Sequence, residues 1–378
     1  MTVTQRLSRL FSAEGAIITV VLAGMVIYFW ASSSVFMTRK NVDNLLIEAV
    51  FIALLAAGMT FVLIVGGIDL SVGSVLGLSA GTTLWALMSG WSLVFAILAG
   101  VGTGIAAGLI NGIVIAFLGV NDFIVTLASL SIGAGLLQVL TSKVQLTGVK
   151  DSTFLSMSSG HLLGIPTPVV ILAVVAAVLE FVLVQTPFGR SVFASGVGPR
   201  AAALAGVPVR RVRLQVYVLS GAAAGLGGVL LAAHLNSVQP GLGGGYELNA
   251  IAAAVLGGIA LAGGRGSVWR AVLGALFLGI LANGLQLLGV DPLWFQIVTG
   301  ASILAAVALD RVVQKLAVVG LLGGPADLVR GLGDDQRSDD QRSDDQGSGA
   351  LRASTADGEE STVRVSASSM TASEVKAQ

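Results

Sequence analysis

Gly66-Gly67-Ile68-Asp69-Leu70-Ser71-Val72-Gly73-Ser74-Val75-Leu76-Gly77-Leu78-Ser79-Ala80-Gly81 sets one carboxylate and three hydroxyls between two long apolar runs. An ionisable side chain at or near hydrocarbon costs several kcal/mol unless it faces protein or water, so Asp69 is a functional-site candidate by default. Asp69 and Ser71 also stand just ahead of a new apolar run, where a short polar side chain can cap the free amides of a helix start. Cap and pathway residue are the two readings of this stretch.

The surroundings of the stretch settle the class. The chain has 378 residues, 54% of them hydrophobic and only 11% charged, and its mean hydropathy of +0.89 marks a polytopic membrane protein. Apolar runs near the ~20 residues that a bilayer requires lie at about 15–32, 46–66, 69–88, 92–118 and 122–141, then 167–185, 214–234, 248–264, 268–289 and 293–310. The fold class is therefore all-α, with ten spans in a transmembrane domain over residues 1–310. Arg6 and Arg9 precede the first run, which reads as an uncleaved helix rather than a signal peptide. Ten spans put both termini on one side. Placing that side in the cytoplasm gives its loops Arg190, Arg200, Arg210, Arg211, Arg213, Arg265 and Arg270, and leaves Arg39, Lys40, Lys143 and Lys150 outside, as the positive-inside rule demands.

The two halves resemble each other. Asp69-Leu70-Ser71 and Glu247-Leu248-Asn249 each open an apolar run, and Asn111-Gly112 and Asn283-Gly284 each precede a Leu-Gly-Val. In the N-in topology the repeat is inverted, five spans plus five, an arrangement that builds a transport site at the repeat interface. Asp69 and Glu247 then read as matched helix-start caps at the inner and outer membrane edges, with Asn249 beside the second. Gly100, Gly104, Gly108 and Gly112 leave one helix face without side chains, so another helix presses there.

The chemistry of an enzyme is missing. Cys is absent, which excludes thiolate metal sites and Cys nucleophiles, and with no Gly-Lys dipeptide no phosphate-cradling loop of the Walker type exists. His161 and His234 fall toward the outer side, away from any cluster at metal-ligand spacing, and read as ordinary loop or interface residues. No cofactor, metal or nucleic-acid contact is implied. Leu219-Ser220-Gly221 is a faint echo of a transporter-ATPase signature, without meaning inside a spanning helix. Glu180 alone lies well within a run and reads as reaching interfacial water. So few intramembrane charges indicate a neutral polar solute and a driving force from elsewhere. Ser71, Ser74, Asn111 and Asn283 are the candidate pathway hydrogen-bonders.

Thr186 to Arg213 is the one sizeable inside loop, and Pro199-Arg200-Ala201-Ala202-Ala203-Leu204-Ala205-Gly206 within it carries the start and stop signals of a short helix. Such a helix either docks on a soluble partner or merely fixes orientation. After Gly331 the repeated Asp-Asp-Gln-Arg-Ser is low in complexity and buries no core, so residues 311–378 read as a largely disordered cytoplasmic tail.

Gly58-Met59-Thr60, Gly67-Ile68-Asp69-Leu70-Ser71-Val72-Gly73-Ser74, Gly189-Arg190, Gln239-Pro240, Gly245-Tyr246-Glu247-Leu248, Val255-Leu256-Gly257-Gly258, Gly263-Gly264-Arg265-Gly266 and Asn283-Gly284-Leu285 resemble the permeases of bacterial ATP-binding-cassette (ABC) importers for monosaccharides, the ribose/xylose/galactose-type group. The resemblance implies a bacterial inner-membrane subunit that works with a cytoplasmic ATPase, an extracytoplasmic sugar-binding protein and a second permease, in a homodimer or heterodimer. It also implies that Pro199, Arg200, Ala202, Leu204 and Gly206 form the ATPase coupling segment, although Pro199-Arg200 replaces a commoner Asn-Glu type pair and Asn249 a frequent Asp. Branched-chain amino-acid import by the same architecture and an autonomous secondary carrier are the alternatives.

Overall fold

The computed structural model describes residues 13–291, with 294, 297, 300, 301 and 304 beyond them. The expected tenth span and the tail fall outside that continuous stretch, as do Arg6 and Arg9. Within it the elements are α1 Ala13–Ser32, α2 Arg39–Ile64, α3 Val72–Met88, α4 Leu93–Phe117, α5 Asp122–Leu140, β1 Leu146–Thr147, α6 Ser152–Ser159, β2 His161–Leu162, β3 Ile165–Pro166, α7 Thr167–Gln185, α8 Pro187–Val197, α9 Pro199–Leu204, α10 Val209–Leu235, β4 Ser237–Val238, α11 Tyr246–Leu256 and α12 Val268–Leu287. Six of these helices (α2, α4, α5, α7, α10 and α12) are long and apolar enough to cross a membrane. Helix is the form such runs must take, since hydrocarbon supplies no partner for a free amide or carbonyl.

Helix α2 is the hub: from Ala49 to Ile64 every residue but Ile52 is buried, against α10, α11, α12 and α7. Large apolar side chains point outward instead on α4, α5 and α7, where Val94, Phe95, Ile110, Ile124, Val174 and Phe181 are each more than half exposed. Contiguous exposed apolar faces of this extent require a non-aqueous neighbour.

Two expected spans are shorter than anticipated. The runs near 69–88 and 248–264 contain helices of 17 and 11 residues, about 26 and 17 Å long at the α-helical rise. Each follows a non-helical approach, 65–71 and 239–245. The second approach runs down along α3: Val238 lies beside Gly81, the Leu242 carbonyl takes the place of a Cβ on Gly77, and the Gly243 carbonyl stands 2.6 Å from where a Cβ on Gly73 would be. Glycines at 73 and 77 are what let backbone lie against backbone there.

The glycine stripe of α4 meets a second one. A Cβ on Gly104 would stand 2.7 Å from Gly225 Cα, one on Gly112 2.8 Å from Leu214 Cδ1, and a Cβ on Gly221 would meet the Gly104 carbonyl. Helices α4 and α10 are thus in backbone contact over three turns, the small-residue packing that the four-residue spacing predicts.

Short pieces join the helix ends. Strands β1 and β4 pair antiparallel, Leu146 opposite Val238, and β2 and β3 form a hairpin. Asp151 Oδ1 caps α6 through the amides of Thr153 and Phe154 at 2.9 and 3.0 Å, and Asn121 caps α5 through Phe123 N at 3.0 Å.

Candidate functional site

Residues 65–71 double back from the end of α2. Gly66 has φ +78°, a conformation open to glycine at no steric cost, and Gly67 N returns to the Val62 carbonyl at 2.9 Å. The chain therefore climbs alongside the helix that it has just left. A Cβ on Gly67 would stand 2.7 Å from Tyr217 Oη and 3.1 Å from Asp122 Oδ2, so glycine is required there too.

This climb brings Asp69 into the protein interior, where it is 1% exposed. Its Oδ1 accepts hydrogen bonds from Ser71 N (3.0 Å) and Ser71 Oγ (2.6 Å), and its Oδ2 accepts one from Ser220 Oγ on α10 at 2.9 Å. Asn111 Nδ2 on α4 donates to Ser71 Oγ at 2.9 Å, and Ser129 Oγ on α5 donates to Asn111 Oδ1. One relay, Ser220–Asp69–Ser71–Asn111–Ser129, thus links α10, the loop, α4 and α5. A second clasp holds the loop backbone. Asp122 Oδ2 accepts from Ile68 N at 2.7 Å, while Tyr217 Oη donates to the Ile68 carbonyl at 3.3 Å. Ser74 Oγ donates to the Ser71 carbonyl at 3.0 Å and packs against Gly133.

Asp69 lies deeper in the bundle than the end of α2, beside which it was expected. Its partner Ser220 packs on Gly58, where a Cβ would be 3.1 Å from Ser220 Cα. Gly58 is six residues, about 9 Å at the helical rise, above the end of α2 at Ile64. Glu247 lies near Asp69: its Oε2 occupies the space of a Cβ on Gly73, four residues along the chain. The two carboxylates lie at neighbouring depths within the bundle. Neither is a simple cap, since Ser71 holds the N-cap position of α3 and Gly245 that of α11. Asp69 receives the Ser71 amide, Glu247 Oε1 receives Gly245 N at 3.2 Å, and Asn249 sits half-buried in the first turn of α11.

Of the four expected pathway residues, Ser71, Ser74 and Asn111 come together and are each at most 5% exposed. Asn283 does not join them. It forms a reciprocal amide pair with Asn41 at the start of α2, both hydrogen bonds 2.9 Å long. Glu180 is partly exposed and its carboxylate also bonds another helix: Oε2 accepts from Val268 N at 2.7 Å and Oε1 from Ser267 Oγ at 3.1 Å, so α7 caps the start of α12. Ser220, Asp122 and Tyr217 were not singled out from the sequence. Ser220 sat in view within Leu219-Ser220-Gly221, but its partner lies 151 residues away.

In the segment between α7 and α10, α8 begins at Pro187 with Thr186 Oγ1 accepting from Gly189 N at 3.2 Å. Helix α9 spans Pro199–Leu204, and Gly206 follows it at φ +84°, as the start and stop signals predict. Pro199, Arg200 and Gly206 are exposed, and Leu204 is 91% exposed. Ala202 is the exception at 6%. It faces its own subunit, so the outward apolar residue of this segment is Leu204.

A cavity of about 810 Å³ lies between the first turns of α2, helix α6 with His161, and the end of α10. Asp43 Oδ2 is 3.6 Å from Arg39 Nε and 3.3 Å from His161 Nε2, and Ser158 Oγ is 2.9 Å from His234 Nδ1. The two histidines that looked like unrelated loop residues line one space.

Comparison with known proteins places this architecture. Residues 41–307 match the family described as "Branched-chain amino acid transport system / permease component". The ribose import permease protein RbsC of Bacillus subtilis is 42% identical over 277 residues, covering 73% of this chain and 86% of its own. The D-allose transport system permease protein AlsC of Escherichia coli is 35% identical over 297 residues, 78% of this chain and 91% of its own. The L-arabinose transport system permease protein AraH of Escherichia coli is 38% identical over 280 residues, 74% and 85%. No solved structure matches. A match over most of the chain, with six apolar helices long enough to span, makes this a multi-pass inner-membrane protein. The chain belongs to the family of branched-chain amino acid transport system permease components.

Proposed function

We propose that this chain is the membrane subunit of an ABC importer and passes a monosaccharide or related polyol, delivered by an extracytoplasmic binding protein, into the cytoplasm. The observation that carries the substrate class is the 42% identity to a ribose permease over 86% of that protein's length, together with the allose and arabinose permeases at similar coverage. It outweighs the amino-acid wording of the family description. The subunit is not an enzyme, and ATP hydrolysis belongs to a separate cytoplasmic ATPase.

Residues 1–310 form the permease domain and 311–378 a cytoplasmic tail. The domain has ten spans as an inverted five-plus-five repeat, with both termini inside. The basic loops of the sequence support the orientation. The repeat is supported by the meeting of α3 and α11, the third and eighth spans, at Gly73 and Glu247, because a two-fold axis in the membrane plane brings equivalent broken helices together at mid-depth. Two such subunits assemble with two ATPases. The segment of Pro199, Arg200, Leu204 and Gly206 docks on the ATPase, with Ala202 bracing it from beneath. Ser71, Ser74 and Asn111, buried in this conformation, become part of the sugar's route when the repeats rock, and Asn283 serves the outer half. Alternating access then follows from the binding protein favouring one arrangement of the repeats and ATP the other.

The test is reconstitution in liposomes with ATPase and binding protein. D-Ribose, D-allose or L-arabinose should stimulate ATP hydrolysis and accumulate inside, while leucine and valine do neither. Uptake by the chain alone would make it an autonomous carrier, and stimulation by leucine but by no sugar would make it an amino-acid permease.

A further inference from the structure

The permease reading leaves open where a solute first touches this subunit. The cavity of about 810 Å³ bounded by α2, α6 and α10 is within the ~300–1,000 Å³ of small-molecule sites. Its lining is chemically specific. Asp43 is already paired with Arg39 and His161, so its charge is compensated within the wall, and Lys40 stands at the exposed rim. Beside these charged groups the lining holds neutral donors and acceptors: the Asn44 and Asn236 amides, the Ser158 and Ser159 hydroxyls and the His234 ring, whose Nδ1 is engaged by Ser158 at 2.9 Å. Such a wall suits several hydroxyls on an uncharged solute rather than a zwitterion, which needs two uncompensated charges. One apolar flank, Ile47, Leu155 and Ala233, matches the C–H face of a sugar ring.

The position fits entry. The floor residues Ile47 and Ala233 belong to α2 and α10, the same helices that carry Gly58 and Ser220 at the Asp69 relay. Eleven residues of α2 separate Ile47 from Gly58, about 16 Å, and between them Val50, Phe51, Ala53, Leu54, Leu55, Ala56 and Ala57 are at most 2% exposed. A polar site at one end, a polar relay at the other and a dry plug between them is the arrangement that one closed state of an alternating-access pathway requires. The cover is bonded to the walls: Arg39 Nη2 donates to the Gly164 carbonyl at 2.7 Å, His161 meets Asp43, and Ser158 meets His234.

We propose that this cavity is the outer entry site for the monosaccharide, with Asn44, Ser158 and His234 as its hydrogen-bonding residues. The proposal rests on the transport reading above. The chain has no cysteine, so single introduced thiols are unique labels. Asn44→Cys and Ser158→Cys are made in the full chain, reconstituted with ATPase and binding protein, and treated with a bulky membrane-impermeant methanethiosulfonate. Leu163→Cys, 97% exposed and outside the cavity, is the control. Modification should lower sugar uptake by Asn44→Cys and Ser158→Cys at least tenfold against each variant's own unmodified rate, with ATPase stimulation by loaded binding protein retained. D-Ribose, D-allose or L-arabinose should slow labelling of Asn44→Cys but not of Leu163→Cys. Unchanged uptake after complete labelling overturns the entry site. So does equal loss of ATPase stimulation, which would make the cavity a docking surface, and so does sugar protection that is the same at Leu163→Cys. Failure of the wild-type complex to import any of the three sugars would instead sink the transport reading.

Discussion

Replacing Gly104 with alanine tests the packing that sets the spacing of the bundle. A Cβ there would stand 2.7 Å from Gly225 Cα and 2.8 Å from Gly225 N, whereas carbon contacts are optimal at ~3.5–4.0 Å. Helix α4 must therefore retreat from α10 by about 1 Å, and both partners are backbone, which has no rotamer to yield. Overpacking of this kind costs about 1–3 kcal/mol. Against it stands the gain of about 1 kcal/mol that alanine brings over glycine in a helix interior. The same helix supplies its own control, because Gly102 has nothing within 4 Å of its Cβ position. Gly102→Ala should keep the propensity gain and stabilise by up to about 1 kcal/mol, while Gly104→Ala should be destabilised by up to about 2 kcal/mol. The two variants then differ by about 1–3 kcal/mol, roughly 5- to 150-fold in the folded-to-unfolded ratio, at 1.4 kcal/mol per tenfold. Reversible unfolding in mixed detergent micelles reads this directly. If Gly104→Ala proves as stable as Gly102→Ala, close backbone contact between α4 and α10 is not what holds them.

Three further outcomes are expected. Asp69→Asn keeps an oxygen for Ser71 and an amide to donate to Ser220 Oγ, so it should retain most uptake. Asp69→Leu strands the Ser71 and Ser220 donors at about 1–3 kcal/mol each and should lose both uptake and detergent stability; equal loss in both variants would give the negative charge itself a role. Leu204→Asp should abolish ATPase association and transport while leaving the unfolding midpoint unchanged, because a 91% exposed side chain has little to lose within its own subunit; Ala202→Asp should lower the midpoint as well, and wild-type ATPase binding by Leu204→Asp would refute docking through α9. Glu180→Ala removes both acceptors at the start of α12 and should cost about 0.5–2 kcal/mol, the usual value of a lost cap, with Glu180→Gln recovering part of it through its remaining carbonyl oxygen; no change in Glu180→Ala would show that the cap contributes nothing.

What the sequence disclosed and what it withheld divide along contact range. Runs of about 20 apolar residues located the helices, because hydrocarbon permits little else, and the spacing of Gly100, Gly104, Gly108 and Gly112 announced a close neighbour without saying which. The proline and glycine bounds of α9 were readable because start and stop signals are local. Asp69 was recognisable as unusual, yet its depth was not: a turn at Gly66 that sends the chain back up beside α2 looks in sequence like the gap between two ordinary spans. Ser220 and Asn111 are single polar residues in Ala- and Gly-rich helices, and only their meeting across 151 and 40 residues gives them meaning. The cap that Glu180 supplies was hidden for the same reason, its partner amide lying 88 residues on.

The Asp69–Ser220 contact has a consequence for synthesis of the chain. A ribosome adding ~5–20 residues per second needs roughly 8–30 s to make the 151 residues that separate the carboxylate from its α10 hydroxyl. For that interval residues 66–71 have neither Ser220 nor Tyr217 to hold them, and Asp69 has only the Ser71 amide and hydroxyl as local donors. The bonding of this buried carboxylate is therefore completed only once the second half of the chain has been made.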